Sequence, residues 1–254
     1  MTLDPVVRAH LLALADDEHA VGARHTAWIG LGPFLEEDLA FCSIAQDELG
    51  HAIGLYELLL ADDPDRSVDE LDRFAMLRDP VDYRSCHLAE IECSDWNDSL
   101  VRHWLYDRAE ALRWGALTDC PDPAVAALAE RALREESFHL THAERFMSRI
   151  AATDTSGSIA RSIRRLVPIA RGLWDTPPEG DPAEVGFTSR PVDELAEEWV
   201  SLVAGDLRRW GCDVEMPDGS VVDDQQRRTV RSPGFDRFQA DLQRVITLDP
   251  TAVW

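Results

Sequence analysis

Four helical stripes in this chain each carry a carboxylate where an apolar side chain belongs. In the first, Val7, Leu11, Leu14, Glu18, Val21, His25 and Trp28 recur at helical spacing, which puts Glu18 in the middle of a seam facing other helices. The second, Phe41, Ile44, Glu48, His51, Leu55 and Leu58, places an acid and an imidazole three residues apart, so both leave one helix face. The third reads Trp96, Leu100, His103, Asp107, Glu110, Trp114 and Leu117, and the fourth reads Val125, Ala129, Ala132, Glu136, His139, Ala143, Phe146 and Ile150. Burying an unpartnered carboxylate costs several kcal/mol, so four such helices sharing one core need protons or cations to cancel the charge. Two divalent ions balance four carboxylates, and two neutral imidazoles complete the shell. Oxygen-rich ligation with one His per metal suits iron, or manganese, better than zinc.

Helical periodicity runs through almost the whole chain and no run alternates like a strand, so the fold class is all-α. Long helices are expected at about Pro5–Trp28, Leu35–Ala61, from an N-cap at Ser94 or Asp95 to Leu117, and from Pro123 to Ile150. A short helix near Ser67–Leu77 and an irregular stretch near Asp79-Pro80 make the middle connection long enough to cross over. Beyond residue 150, helices are expected at Ser158–Trp174, Val192–Trp210 and Phe235–Ile246, with a Pro/Gly-rich segment at 176–182 and a loop at Met216–Asp224. The expected architecture is a four-helix bundle over about 4–150 with a helical extension over about 151–254, packed together as a single domain, 1–254.

The spacing is two-fold. Glu18 precedes Glu48 by 30 residues and Asp107 precedes Glu136 by 29, so each half supplies one acid and one Glu-x-x-His. This is the donor pattern of ferritin-like carboxylate bundles. The candidate metal ligands are Glu18, Glu48, His51, Asp107, Glu136 and His139, with Asp17 an alternative to Glu18 and Glu110 an alternative to Asp107. Asp47 and Glu135 each precede a Glu-x-x-His glutamate and are candidates to fix the imidazole of the opposite half. Glu37, His25, His103 and His142 read as partners at bundle ends, and Trp28, Trp96 and Trp114 as packing.

Composition narrows the partners. The 254 residues carry 25 basic and 48 acidic side chains, a formal charge of −23, which excludes a conventional nucleic-acid surface. No apolar run approaches the roughly 20 residues of a membrane span, and no secretory leader is evident, so a cytoplasmic location is expected. The five scattered cysteines suit reduced thiols, mostly core filler. Every basic residue is Arg, which fits either a high-salt interior or a GC-rich genome. Arg161, Arg164 and Arg165, then Arg227, Arg228 and Arg231, are the densest basic clusters and read as solvated helix or loop charges. There is no Rossmann glycine motif or iron–sulfur cysteine set, so electrons for redox chemistry must come from another chain.

Together these residues resemble one family: the ferritin-like subunits of the bacterial multicomponent phenylacetyl-CoA epoxidase, also called ring-1,2-phenylacetyl-CoA monooxygenase. The resemblance rests on Glu18 ten residues before Trp28, Gln46-Asp47-Glu48-Leu49-Gly50-His51, Trp96-Asn97-Asp98 through Trp104-Leu105-Tyr106-Asp107, Glu135-Glu136-Ser137-Phe138-His139, and a terminal helix at Phe235–Val245 followed by Trp254. That family has a catalytic diiron subunit and a shorter partner that looks like a degenerate copy. The length and C-terminal region here look like the shorter type, whereas all six ligand positions match the catalytic type. The resemblance implies two iron ions, with Glu48 and Glu136 bridging and Glu18 and Asp107 terminal. It also implies dioxygen activation for an aromatic acyl-CoA substrate, and association with a homologous ferritin-like subunit and a reductase, a homodimer remaining open.

Overall fold

The structure, a computed structural model, describes residues 3–61, 70–214, 216 and 222–249. Helix α1 (Pro5–Thr26) begins where the Asp4 carboxylate accepts from the Val6 amide at 2.8 Å and Pro5 occupies the first turn, which needs no N–H. It stops two residues short of the expected Trp28, whose amide bonds back to the His25 carbonyl in a tighter turn. Helix α2 (Leu35–Leu59) follows, and then α3 (Glu70–Met76), a 3-10 turn at Pro80–Asp82 and α4 (His87–Glu90) fill the crossover. The first residues of the helix expected from Ser67 lie outside the described residues.

Helix α5 (Trp96–Leu117) is capped by Asp95, which accepts from the Asp98 amide at 2.9 Å, and α6 (Pro123–Thr153) by Asp122, which accepts from Ala124 at 2.9 Å. The extension contains α7 (Ser158–Ala170), α8 (Val192–Arg209) and α9 (Phe235–Gln243). Pro168, which lacks an N–H, sits near the end of α7, and the chain tightens there into a 3-10 turn at Arg171–Trp174 instead of continuing as α-helix. Most of the loop expected at Met216–Asp224 is outside the described residues.

Among the described residues there is no strand, and the architecture is a ferritin-like four-helix bundle with a helical extension. Helix α1 packs along α2, and α5 along α6, with α2 and α6 meeting across the pairs. Gly22 permits the first approach: a Cβ there would lie 3.0 Å from Leu49 Cγ and 3.1 Å from Glu48 Cβ. The extension leans on α5, where Trp199 Nε1 donates to the Leu105 carbonyl at 3.1 Å and Trp104 Nε1 to Asp206 at 3.1 Å. No described helix is long and apolar enough to cross a membrane.

The apolar core is two clusters with a polar layer between them. Along α1, Val7, Leu11 and Leu14 belong to one cluster and Val21 to the other, and the change falls at Glu18. On α5, Leu100, Leu105 and Ala109 belong to the cluster of Val21, and beyond Glu110 Trp114 and Leu117 belong to the other while Ala116 stays with the first; α6 changes across Glu136 and His139. The acid positions on these helices are therefore at one level, sealed from water on both sides by hydrophobic packing. Of the cysteines expected as core filler, Cys86 and Cys93 are buried; Cys42, Cys120 and Cys212 are partly exposed because they lie toward helix edges and connections.

Candidate metal centre

Three consecutive acids of α1, Asp16, Asp17 and Glu18, are all buried, and the helical rotation of about 100° per residue sends them to different partners. Asp16 accepts from the Tyr56 hydroxyl and the Arg84 amide, both at 2.7 Å, and pairs with Arg78. Asp17 accepts from Arg113 at 2.7 Å, from Arg228 at 2.8 and 2.9 Å and from the Cys86 amide at 2.7 Å. Its hydrogen-bonding capacity is used up there. Glu18 faces the bundle centre, 3.2 Å from His51 Nδ1, and accepts from the Tyr106 hydroxyl at 3.3 Å, with Arg113 at 3.6 Å.

Glu48 and His51 come from α2, Asp107 and Glu110 from α5, and Glu136 and His139 from α6. Except for His139, which is 3% exposed, all are fully buried. Both imidazoles turn Nδ1 inward. Glu48 lies 3.6 Å from His51 Nδ1 and 3.7 Å from His139 Nδ1, and Glu136 Oε1 lies 3.7 and 3.2 Å from the same two atoms. Both turn Nε2 outward to an acid of the facing helix: His51 to Glu135 at 2.7 Å and His139 to Asp47 at 3.1 Å. Single donor atoms of Glu18, Glu48, His51 and Glu110 lie within 4.8 Å of one another; those of Glu48, Glu136 and His139 do likewise, as do those of Glu48, Asp107, Glu110 and Glu136.

Charge dominates this layer. Burial pushes the Glu48 carboxyl well above the usual carboxylate range, and the neighbouring Glu136 and Glu18 push it the same way. Burial likewise raises Asp107, Glu110 and Glu136, although the nearby His139 imidazole offsets part of the last shift. Glu18 is the exception: burial pushes it up, but the adjoining Glu110 carboxyl and the His51 imidazole outweigh this and lower it. For His139, burial opposes protonation, but Glu136 and Asp107 prevail and raise it to about 9. Without a cation, His139 therefore keeps its proton at neutral pH, and Glu48, Asp107, Glu110 and Glu136 are all pushed toward their protonated forms.

Both oxygens of Glu48, Asp107 and Glu136, Oε2 of Glu110 and Nδ1 of His139 have no hydrogen-bond partner among the described residues. Native interiors rarely leave so many polar atoms unsatisfied in one place. Mixed carboxylate and imidazole donors, converging from four helices, fit a pair of iron or manganese ions.

Several surrounding residues are not legible from sequence as site neighbours. Arg228 reads there as a loop charge, but it is 3% exposed, because its guanidinium holds Asp17 and the carbonyls of Arg84 and Leu173. Arg231 pairs with buried Glu90 in the same way, whereas Arg161 and Arg164 are exposed and Arg165 reaches Asp98 at 2.5 Å. Trp114, expected as packing, also donates its Nε1 hydrogen to Glu110 at 3.3 Å. At the other end, His103 Nδ1 stands 3.0 Å from Asp107, His103 Nε2 is 3.3 Å from His142, and His142 Nε2 is 2.9 Å from Glu37. Stripe position is the only signal for Glu110; nothing local marks Arg113 or Arg228.

Residues 4–254 match a protein family described as phenylacetic acid catabolic protein. The chain is also 29% identical over 171 residues to a subunit of the 1,2-phenylacetyl-CoA epoxidase of Escherichia coli (strain K12), an alignment covering 66% of this chain and 67% of that protein.

Proposed function

The chain belongs to the phenylacetic acid catabolic protein family, and from that premise we propose that it is a ferritin-like subunit of a phenylacetyl-CoA epoxidase-type complex whose bundle holds two iron ions, manganese being the alternative. The observation that carries this reading is the buried layer of unpartnered carboxylates and inward imidazole nitrogens. Glu48 and Glu136, each facing both imidazoles, would be the carboxylates available to both metal positions. Glu18 serves the His51 side and Asp107 the other. Asp47 and Glu135 hold the outer imidazole nitrogens, fixing tautomer and ring angle. The apolar clusters above and below exclude water, and Arg113 and Tyr106 orient Glu18. When bound, an iron pair reduced by a separate reductase would supply the electrons that activate dioxygen, one oxygen atom entering an aromatic acyl-CoA and the other leaving as water.

A second reading is a non-catalytic structural role in the same complex, paired with a homologous catalytic chain. Likeness to a protein named as one subunit of the epoxidase, and not as the epoxidase itself, supports this reading better than the first. The intact donor set favours the first. Oxygen uptake by the iron-loaded chain with a chemical reductant, alone and with a catalytic homologue, separates them. Reductant-dependent uptake by the chain alone supports catalysis. Metal binding without uptake, together with stable association with the homologue, supports the structural role.

A further inference from the structure

Resting on the metal-holding reading above, we propose that Glu110 is a seventh protein donor, serving the metal position on the His51 side and making the two positions chemically unlike. From sequence, Glu110 could only stand in for Asp107. In the fold both reach the layer, because residues three apart on α5 leave the same face. A Glu110 oxygen lies within 4.8 Å of donor atoms of Glu18, Glu48 and His51; Glu110 also groups with Glu48, Asp107 and Glu136, but the group that contains His139 does not include it. Its Oε1 accepts from Trp114 Nε1 at 3.3 Å, which anchors the carboxylate, and Oε2 is buried with no partner among the described residues.

The two-fold pattern shows what is unusual about this acid. Glu18 and Asp107 are counterparts in the two halves, so the counterpart of Glu110 is Val21, three residues beyond Glu18. Val21 is fully buried and packs in the apolar cluster. One half thus presents an extra carboxylate where the other presents a methyl surface.

Charge gives a second, independent argument. Glu18, Glu48, Asp107, Glu110 and Glu136 are five carboxylates, one more than two divalent ions neutralise. A compensating positive charge is built in beside them: buried Asp17 is shared by two buried guanidiniums, Arg113 and Arg228, leaving one positive charge in excess, with Arg113 3.6 Å from Glu18. Five carboxylates, two divalent ions and this excess charge sum to neutrality, as a water-excluded layer requires. With four carboxylates, the surplus guanidinium charge would be unbalanced.

The test uses the full chain stripped of metal by chelation and titrated anaerobically with Mn(II), free ion being followed by electron paramagnetic resonance. Wild type is expected to bind two equivalents. Glu110→Gln, which keeps the volume and an acceptor for Trp114 but removes the charge, should hold one equivalent as wild type does and the other at least about tenfold more weakly. A Mössbauer spectrum of wild-type protein loaded with iron-57(II) provides a readout independent of any variant: two distinct quadrupole doublets are expected. Glu110→Gln binding both equivalents with wild-type affinity, or a single doublet in wild type, overturns the assignment of Glu110 while leaving the metal-holding reading intact. Wild type that binds no metal overturns both.

Discussion

Replacing Glu48 by methionine should stabilise the metal-free protein while abolishing its response to metal. Both Glu48 oxygens are buried without a partner, and burial with two neighbouring acids favours the protonated form. An unsatisfied buried polar group costs about 1–3 kcal/mol, and methionine fills a similar volume without that cost. For a chain of this size each kcal/mol moves the melting temperature by about 2–4 °C, so Glu48→Met should melt about 2–12 °C above metal-free wild type. Metal acts in the opposite direction on the comparison: free ion at a hundredfold its Kd stabilises a one-site protein by about 2.7 kcal/mol, or about 5–11 °C here. Wild type should show that rise and Glu48→Met should not. The assay is an anaerobic thermal melt followed by circular dichroism, with and without Fe(II). The reasoning is refuted if Glu48→Met lowers metal-free stability, which would make the carboxylate a structural partner, or if it retains the metal-dependent rise.

Gly22→Ala would force a Cβ to 3.0 Å from Leu49 and 3.1 Å from the Glu48 stem; despite alanine's better helix propensity, urea unfolding should show a loss of about 1–3 kcal/mol, with weaker metal retention. Arg228→Met leaves Asp17 paired with Arg113 but removes the donor that ties the Arg84 and Leu173 carbonyls together; a loss of about 1–3 kcal/mol by denaturant unfolding is expected, with faster proteolysis beyond residue 170. His10 is held down to about 4 by burial and by Arg113 and Arg228, so it stays neutral in the fold while the unfolded chain takes up a proton below about 6.5. Its contribution is complete above that pH and declines toward pH 4, and His10→Gln should flatten the fall in melting temperature between pH 6.5 and 5.

Much of the bundle is legible in the sequence because its signals are local. Acid N-caps at Asp4, Asp95 and Asp122, followed by apolar stripes, locate the starts of α1, α5 and α6, and stripe interruptions single out the acids of the layer. Helix ends are less legible: Thr26, Leu59 and Gln243 fall short of expectation and Thr153 runs beyond it, because final turns depend on competing bonds that composition does not encode. Stripe membership identifies a face but not which of two acids on it reaches the centre, so Asp107 and Glu110 read as alternatives when the fold brings in both. Arg228 is illegible for another reason. Its partner Asp17 is 211 residues away, and only tertiary folding converts an exposed-looking loop charge into a buried clamp.

The central claim, that this chain's own residues hold two metal ions, is tested most directly by elemental analysis of the full chain, purified anaerobically and equilibrated with Fe(II), beside the Glu48→Met and Glu136→Met variants. Close to two irons per wild-type chain, and sharply fewer in folded variants, is the predicted result. A folded wild-type chain that takes up no iron or manganese, or variants that load as fully as wild type, would contradict it.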